Sequence, residues 1–428
     1  MTDRVNWGAR GASLALREML EMNWEGVQAL PDSCVEGRLQ PINTFFPEEI
    51  VVPVSVRRGE NLLYDAFYRF ERTMGMRLDY IEEDPKKSAR NILQNKNNGE
   101  IGELYEAVSS SDVIVVDGDG DLIFKDSPGR INHFNLSMIE LADALGKEVH
   151  YVNSIFSDPP SGERNDDFFG RTVDTLSRCS TVALRDPFSV RLAESDAPEL
   201  EVEYVPDSLF HWYCDLQDAA DNLPDNGDYV IPYTREKTSL FDEIRFDEPY
   251  ICIAGGSLAA NISRGFRAGG SKEKAVASYT NLVEEVENLG PRVYLTPTCS
   301  GDEFMYDVSR AAGIPIIPAE VPIKMGGAIL SRAEVFITGR YHPSILASLG
   351  GTPCVFLGAD SHKTRSIQDV LQYETKMQFS ALPDEKEVEE ICELTEQYLA
   401  RGDSLRSSIR STAKECAESA RRIVDLIK

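Results

Sequence analysis

Short apolar runs alternate with amphipathic stretches along most of this chain, which is the pattern of β–α units built around parallel sheets. The runs with strand character fall into two groups, one before and one after residues 215–248. The first group is residues 49–56, 113–117, 148–154, 181–184 and 201–205, and the second is residues 249–254, 292–296, 314–317, 334–338 and 353–357. Helical periodicity occupies the gaps, for example at residues 12–22, 272–289 and 326–331.

The stretch between the two groups is rich in Asp, Asn and Pro and holds only one short apolar run. It predicts a linker at residues 215–248, between an N-terminal Rossmann-like domain (residues 1–214) and a second Rossmann-like domain (residues 249–383). Residues 384–428 have helical periodicity and few strand formers, so we expect two terminal helices there. The predicted fold class is α/β, with the two domains facing a cleft. Parallel sheets bind ligands at the carboxyl ends of their strands, so functional residues are expected in the loops that follow the strands.

The charge balance narrows the range of partners. The 428 residues include 44 Lys and Arg against 71 Asp and Glu, a formal net charge of −27. Nucleic acids and anionic membranes bind positively charged surfaces, so neither is expected as the main partner. A small anion held by a few Arg side chains is compatible with this charge. The scarcity of Lys, 14 against 30 Arg, is compatible with adaptation to high salt; an ordinary acidic protein kept soluble by its charge is the other interpretation.

Nothing in the sequence indicates a membrane or an export route. The apolar runs fall short of the ~20 residues of a spanning helix. The first residues, MTDRVNWGAR, lack the apolar core of a signal peptide. The eight cysteines are scattered and form no CxxC pair, so a zinc knuckle is not expected. We expect a cytoplasmic protein without an integral membrane segment.

The most informative segment is EVFITGRYHPSILASLGGTPCVFL, which has the pattern strand, tight turn, helix, Gly-Gly stop and strand. Pro343 suits the first helical position, where its missing N–H is not needed. Arg340 and His342 are then expected in the loop at the helix N-terminus, whose exposed amides favour an anion. Arg can grip a carboxylate or phosphate with its planar fork, and His can hold or transfer a proton near neutral pH. The alternative is that Arg340 is a surface residue and His342 only caps the helix.

Two further loops of the second half follow predicted strands. Lys363 lies after the strand at 353–357, where it is either a point charge for phosphate or part of an exposed polar loop. Gly255 and Gly256 follow the strand at 249–254 and would let a ligand approach the backbone, and Ser257 adds a hydroxyl. A simple turn is the alternative at these glycines.

In the first half, Arg185 follows the predicted strand at 181–184 and precedes Asp186 and Pro187, which suit a helix N-cap and first turn. Arg185 either touches a ligand or bridges loops. Asp207 ends a later strand, as a carboxylate that fixes a loop or belongs to the site.

Three carboxylates lie at the end of the predicted strand at 113–117 and directly after it: Asp117, Asp119 and Asp121. Their spacing is similar to the start of a calcium loop, but the downstream glutamate of such a loop is missing, so no metal site is predicted. Asn6 opens a Gly-containing turn before a helix, a setting suited to an anion or to an acceptor.

These segments together resemble the polysaccharide pyruvyl transferase family, from about Asn6 to about Tyr373. The segment ILSRAEVFITGRYHPSILASLGGTPCVFLGADSHK resembles the family's strand–Arg–x–His–helix–Gly–x–Pro–strand–Lys signature. ALRDPFSVRLAE and VPDSLF resemble the family's Arg-Asp-x-x-Ser and downstream Asp motifs. Two positions depart from the family pattern. DGDG at residues 117–120 stands where the family shows a Gly-Gly-Gly run, and NWGAR at residues 6–10 stands where it shows Asn-x-Gly-Asp.

The resemblance implies a two-domain fold similar to GT-B glycosyltransferases. It also implies transfer of a pyruvyl group from phosphoenolpyruvate to two hydroxyls of a sugar, in a polysaccharide or its precursor, to form a cyclic ketal. Phosphoenolpyruvate is then the donor substrate, a saccharide is the acceptor, and no cofactor is expected. The reaction belongs to polysaccharide and cell-envelope biosynthesis.

The demands of that reaction match the candidate residues. The donor carries a phosphate and a carboxylate, which favour Arg and Lys as ligands, and its methylene carbon needs a proton donor. Arg340 and His342 are the catalytic candidates. Donor binding is assigned to these two with Lys363, Arg185, Gly255, Gly256 and Ser257, and acceptor binding to Asn6, Asp117 and Asp119. Two other functions stay open: a GT-B-type glycosyltransferase that uses a nucleotide sugar, and a non-catalytic, saccharide-binding member of the family.

Overall fold

The computed structural model describes residues 6–30, 80–221, 223, 244–267 and 269–428. The chain divides into two compact units. The first comprises residues 1–3, 16–208 and 420–428, and the second comprises residues 4–15 and 209–419. The predicted strand at 49–56 and most of the predicted linker lie outside the described residues.

The described part of the first unit contains a parallel sheet of four strands in the order β1–β2–β3–β4. Its elements in chain order are α1 (Trp7–Glu21, which begins in the second unit), α2 (Pro85–Gln94), α3 (Gly99–Ser110), β1 (Val113–Asp117), α4 (Arg130–Ala144), β2 (Glu148–Ser154), α5 (Asp166–Leu176), β3 (Thr181–Leu184), α6 (Pro187–Asp196) and β4 (Glu203–Tyr204). The predicted bounds of β1, β2 and β3 are confirmed. Strand β4 is shorter than predicted.

Local sequence explains where two of these helices begin. At α6, the side chain of Asp186 accepts hydrogen bonds from the N–H groups of Phe188 and Ser189, both at 3.0 Å. Its predicted role as N-cap is therefore confirmed. At α1, the side-chain oxygen of Asn6 accepts hydrogen bonds from the N–H groups of Gly8 and Ala9, so this helix begins at Trp7. That is five residues before the predicted start.

The described part of the second unit contains another parallel sheet, in the order β6–β5–β7–β8. Its elements are α7 (Tyr213–Asp221), β5 (Tyr250–Gly256), α8 (Ser257–Ser263), α9 (Lys272–Glu287), β6 (Arg292–Leu295), α10 (Phe304–Ala312), α11 (Ile323–Arg332), β7 (Val335–Gly339), α12 (Tyr341–Leu349), β8 (Cys354–Phe356), α13 (Lys363–Val370) and α14 (Glu385–Ala420). The last helix, α15 (Arg422–Ile427), belongs to the first unit. The α/β fold class with two parallel sheets and C-terminal helices is confirmed.

Three details differ from the sequence prediction. Residues 314–317 form a single bridge between Ile316 and Leu295 rather than a strand, because Pro315 and Pro318 on either side of that bridge have no N–H to extend a ladder. Residues 215–221 of the predicted linker belong to α7, where Leu216 is buried. The terminal region contains the two predicted helical segments, which meet within α14 at Gly402, where a φ of 48° breaks the helical path, and it adds a third helix, the short α15.

The cores of the two sheets are apolar and the helices cover them. Every residue of β5 and of β7 is buried, which is typical of central strands in a parallel sheet. None of the helices within the described ranges has both the length and the apolarity needed to cross a bilayer.

Candidate functional site

The carboxyl ends of β5 and β7 meet in the second unit without room for side chains. A Cβ built on Gly256 would lie 2.9 Å from the Cα of Gly339, and one built on Gly255 would lie 2.6 Å from Oδ1 of Asp302. Both glycines are therefore required by the close approach of neighbouring chain segments. Ser257 follows directly as the first residue of α8.

Arg340 lies between the end of β7 and the start of α12, as the sequence predicted. One of its terminal nitrogens, Nη2, forms an ion pair with Oδ1 of Asp302 at 2.5 Å. Its Nε is buried and has no hydrogen-bond partner among the described residues. Burial lowers the pKa of this guanidinium, but Asp302 and the Cys299 sulfur raise it by more, so its pKa lies above the ordinary value. The guanidinium stays charged because its pKa is raised, and the side chain reaches solvent because it is 16% exposed.

Asp302 is a site residue that the sequence analysis missed. Its side chain is fully buried, and it accepts a hydrogen bond from the N–H of Thr298 at 3.1 Å. The thiol of Cys299 lies 3.8 Å from the same carboxylate. Burial raises the pKa of this thiol to about 11, so it stays protonated at neutral pH. The only signal for Asp302 in the sequence is its place in the loop after β6.

Asp360 is a second missed residue, and it connects three of the predicted ones. Its carboxylate lies 3.0 Å from Nζ of Lys363. Burial raises the pKa of Asp360, but Lys363, a hydrogen bond from Ser257 and the charge of Arg340 outweigh that effect, so its pKa falls to about 2. The structure therefore brings together Ser257, Arg340 and Lys363 around one carboxylate. Arg340 and Lys363 are similarly accessible, since the Lys363 side chain is 15% exposed.

His342 lies in the first turn of α12 and is 8% exposed. Its predicted place in the preceding loop is wrong, because α12 begins at Tyr341, two residues before Pro343. Its ring makes an edge contact with the ring of Tyr341, with centroids 5.2 Å apart. The start of α1 packs beside it in the second unit. Asn6 forms a bridge with Cys299, and a Cβ built on Gly8 would lie 2.7 Å from Nδ1 of His342.

The structure thus places Asn6 in the second unit, whereas Asp117 and Asp119, the other predicted acceptor residues, lie in the first. Nothing in the local sequence of residues 6–10 could reveal this. The placement depends on contacts with residues about 290 to 330 positions further along the chain, as the bridge to Cys299 shows.

A second cluster occupies the carboxyl ends of the strands in the first unit. Arg185 is fully buried, and its Nη1 lies 3.1 Å from Oδ1 of Asp119 and 3.0 Å from Oδ2 of Asp207. Next to this cluster, the carboxylate of Asp186 accepts a hydrogen bond from the hydroxyl of Ser189 at 2.6 Å. Two carboxylates therefore surround one guanidinium in the interior of this unit.

Two residues near the carboxyl ends of β1 and β2 have an unusual backbone. Asp119, in the loop after β1, has a φ of 46° and Asn153, within β2, a φ of 58°, both in the left-handed region that favours glycine. The side chain of Asn153 donates to Asp117 at 3.1 Å and accepts the N–H of Ser208 at 2.9 Å. Non-glycine residues held in this region cluster at functional sites, which makes the loop a candidate site of its own.

Within the described ranges, no group of three or more His, Cys, Asp or Glu side chains is arranged to hold a metal ion. The carboxylate of Asp119, one of the three that resemble the start of a calcium loop, is directed at Arg185.

A model of the polysaccharide pyruvyl transferase family matches residues 46–361. No curated protein matches the chain by sequence.

Among solved structures, UDP-GlcNAc 2-epimerase from Methanocaldococcus jannaschii is 15% identical, with a TM-score of 0.46 over 79% of this chain and 81% of that one. Sucrose-phosphate synthase from Thermosynechococcus elongatus is 12% identical, with a TM-score of 0.45 over 81% of this chain and 77% of that one. Os79 from O. sativa, in complex with UDP, is 13% identical, with a TM-score of 0.47 over 80% of this chain and 83% of that one.

Proposed function

The chain belongs to the polysaccharide pyruvyl transferase family, and from that premise we propose that it transfers a pyruvyl group from phosphoenolpyruvate to two hydroxyls of a sugar. The acceptor is a polysaccharide or its precursor in cell-envelope biosynthesis, and the product is a cyclic ketal. One observation carries the proposal. Arg340 and Lys363 lie in the same unit, both are partly accessible, and the positive charge of each lowers the pKa of Asp360. Two cations that share one carboxylate neighbour suit a donor that has a phosphate and a carboxylate.

The proposed reaction needs one proton donor and one proton acceptor. The donor's methylene carbon gains a proton as one sugar hydroxyl adds to the neighbouring carbon and loses its own proton. The C–O bond to phosphate then breaks, the second hydroxyl adds to the same carbon, and its proton passes to the departing phosphate, which closes the ketal. In this proposal Arg340 and Lys363 hold the anionic groups, and His342 donates a proton or a hydrogen bond.

Ser257 keeps a proposed role in donor binding beside Asp360. Gly255 and Gly256 were expected to let the donor approach the backbone, but Asp302 and Gly339 fill the space next to them, so packing explains both glycines.

In the first unit, Arg185 is fully buried between Asp119 and Asp207, and we propose that it bridges the loops there. Asp117 and Asp119 are proposed to bind the acceptor.

The proposal requires no cofactor and no partner beyond the donor and the acceptor. We also propose that the protein works in the cytoplasm. The seven cysteines that the structure describes form no disulfide, which is compatible with a reducing compartment.

Calorimetric titration with phosphoenolpyruvate tests the donor site without requiring the acceptor. We expect saturable binding by the native protein and its loss in Arg340→Ala. A matched control is Arg332→Ala, which removes an exposed arginine at the end of α11 in the same unit and should leave binding unchanged. Titrations with UDP- and GDP-sugars complete the test. Binding of a nucleotide sugar in place of phosphoenolpyruvate would contradict the proposal and favour glycosyl transfer.

Replacement of His342 separates chemistry from folding. In His342→Gln we expect turnover to fall by about 10²- to 10⁴-fold, the usual contribution of a positioned proton donor, while the thermal midpoint changes little. His133→Gln, on α4 of the first unit, makes the same chemical change and should retain turnover. Near-normal turnover of His342→Gln with an intact thermal transition would remove His342 from the mechanism.

A further inference from the structure

The first turn of α1 is fixed to the second unit by its own backbone and by one side chain. The N–H of Trp7 donates to the carbonyl of Thr298 at 2.9 Å, and its indole Nε1 donates to the carbonyl of Ala319 at 2.7 Å. The indole is 2% exposed. It lies so close to α11 that a Cβ built on Gly326 would be 2.7 Å from its Cη2. The helix start therefore has little freedom to shift.

Gly8 follows Trp7 and lies directly against His342. A Cβ at this position would be 2.7 Å from Nδ1, 2.8 Å from Cβ and 3.1 Å from Cγ of the histidine. The first two distances are shorter than side-chain carbons tolerate, so the backbone of Gly8 itself forms one wall of the space in which the imidazole lies. Any side chain at position 8 must displace either the helix or the ring.

We propose that the first turn of α1 positions the imidazole of His342, and that Gly8 is the residue whose lack of a side chain sets where the ring lies. Because Trp7 anchors the helix start on two carbonyls, the histidine is the part that gives way, and its ring moves together with its Cβ. Gly8 is thus a positioning residue and does not itself touch the substrate. Its catalytic consequence rests on the proposed function, in which His342 serves the reaction, whereas the positioning can be measured without any substrate.

Gly8→Ala tests the proposal, and Gly11→Ala is its matched control. Both make the same change within α1 at residues that belong to the second unit. A Cβ on Gly11 would also be tightly packed, at 3.0 Å from Cδ1 of Ile323 and from Cδ1 of Leu209, but these are the ends of side chains and not part of His342. The pair therefore separates contact with the histidine from helix propensity and general crowding.

The first measurement is the NMR cross-peak of each histidine ring. The chain has five histidines, so the His342 signal can be assigned from its disappearance in His342→Gln. We expect Gly8→Ala to move the His342 cross-peak and to leave the other four in place, and Gly11→Ala to leave the His342 cross-peak in place. An unmoved His342 cross-peak in Gly8→Ala would overturn the proposal.

The second measurement is turnover of phosphoenolpyruvate with a sugar acceptor. We expect kcat of Gly8→Ala to fall by about tenfold or more, since small misplacements of a reacting group reduce rates to this degree. The KM for phosphoenolpyruvate should stay within about twofold, because Arg340 and Lys363 are untouched. Unchanged kcat together with a moved cross-peak would show that the position of the ring does not matter for catalysis. It would overturn the catalytic consequence that we propose for Gly8.

Failure of the proposed function gives a different result. If the native protein neither binds nor turns over phosphoenolpyruvate, while Gly8→Ala still moves the His342 cross-peak, the positioning stands and the reaction is wrong. Should Gly8→Ala not fold, Trp7→Phe carries the test. It removes the indole N–H that bonds to Ala319 without adding bulk, and it should move the His342 cross-peak by a smaller amount. No movement in Trp7→Phe would again overturn the proposal.

Discussion

Asp302→Asn is the change that most directly tests the architecture of the site in the second unit. The native carboxylate is fully buried, pairs with Arg340 at 2.5 Å and accepts the N–H of Thr298 at 3.1 Å. Asparagine has nearly the same shape and keeps an oxygen for Thr298. It removes the negative charge and leaves Arg340 without this counter-charge.

The magnitude follows from what remains. Removing one partner of a buried ion pair lowers the free energy of unfolding by about 3–5 kcal/mol, because the other charge stays buried. Arg340 is 16% exposed and so keeps part of its hydration. The amide also retains one hydrogen bond, which contributes about 1 kcal/mol. We therefore expect a loss of about 2–3 kcal/mol, and a thermal midpoint lower by about 4–12 °C for a unit of this size.

Differential scanning calorimetry measures this change, with Asp307→Asn as the control. Asp307 is on α10 and forms ion pairs with Lys272 and Arg310, whose side chains are 53% and 75% exposed. Such surface pairs contribute about 0–1 kcal/mol. If Asp302→Asn shifts the midpoint no more than Asp307→Asn does, the buried pair with Arg340 does not hold the site together and the reasoning is refuted.

Three further predictions concern the first unit. Asp207→Asn leaves the fully buried Arg185 with one carboxylate, and chemical denaturation should show a loss of about 2–4 kcal/mol; a loss below about 1 kcal/mol would contradict the buried cluster. Gly118→Ala places a Cβ 2.5 Å from Cβ of Ser154 and should lower the free energy of unfolding by about 1–3 kcal/mol; an unchanged thermal midpoint would show that the loop adjusts freely. Burial lowers the pKa of His150 below its usual value of 6.5, so as pH falls the unfolded chain binds a proton before the folded protein does. The stability that the neutral, buried imidazole allows is therefore complete above pH 6.5 and decreases below it. The thermal midpoint should therefore fall less between about pH 7.5 and about pH 5.5 in His150→Gln than in the native protein, and equal slopes would exclude His150.

Strands were the part of the fold that the sequence predicted best. Strands β1, β2 and β3 have the predicted bounds, because buried parallel strands are short continuous runs of apolar residues and each run is visible locally. The bridge at Ile316 shows the limit of that signal. An apolar run flanked by prolines looks like a strand in composition but lacks the donors that a ladder requires.

The candidate site could be predicted only where its residues stand next to a recognisable element. Arg340 precedes α12 and Lys363 begins α13, each after a strand, and the resemblance to the family implies both positions. The family match over residues 46–361 includes Arg340 and ends before Lys363. Asp302 ends a short 3₁₀ helix and Asp360 lies in an irregular loop. At neither place does a periodic pattern separate a buried ion pair from a solvated surface. Their role becomes visible only from their partners in space.

The position of the chain's start in the fold could not be predicted for a similar reason. Asn6 was expected with the acceptor residues of the first half, yet residues 4–15 belong to the second unit. Their contacts are with Thr298, Ala319 and His342. Contacts at such sequence separation leave no trace in local composition.

This arrangement of the chain has a consequence for folding during synthesis. The first unit includes residues 420–428, and the second includes residues 4–15 and everything from 209 to 419. A ribosome that has made residue 208 has therefore not yet delivered α15, whose Ile423 is fully buried in the core of the first unit together with Val152 and Ala183. Neither unit can acquire its full set of contacts before residue 419 has been made, and the first unit also needs residues 420–428. The apolar surface that α15 covers stays open to chaperones until that helix has been synthesised.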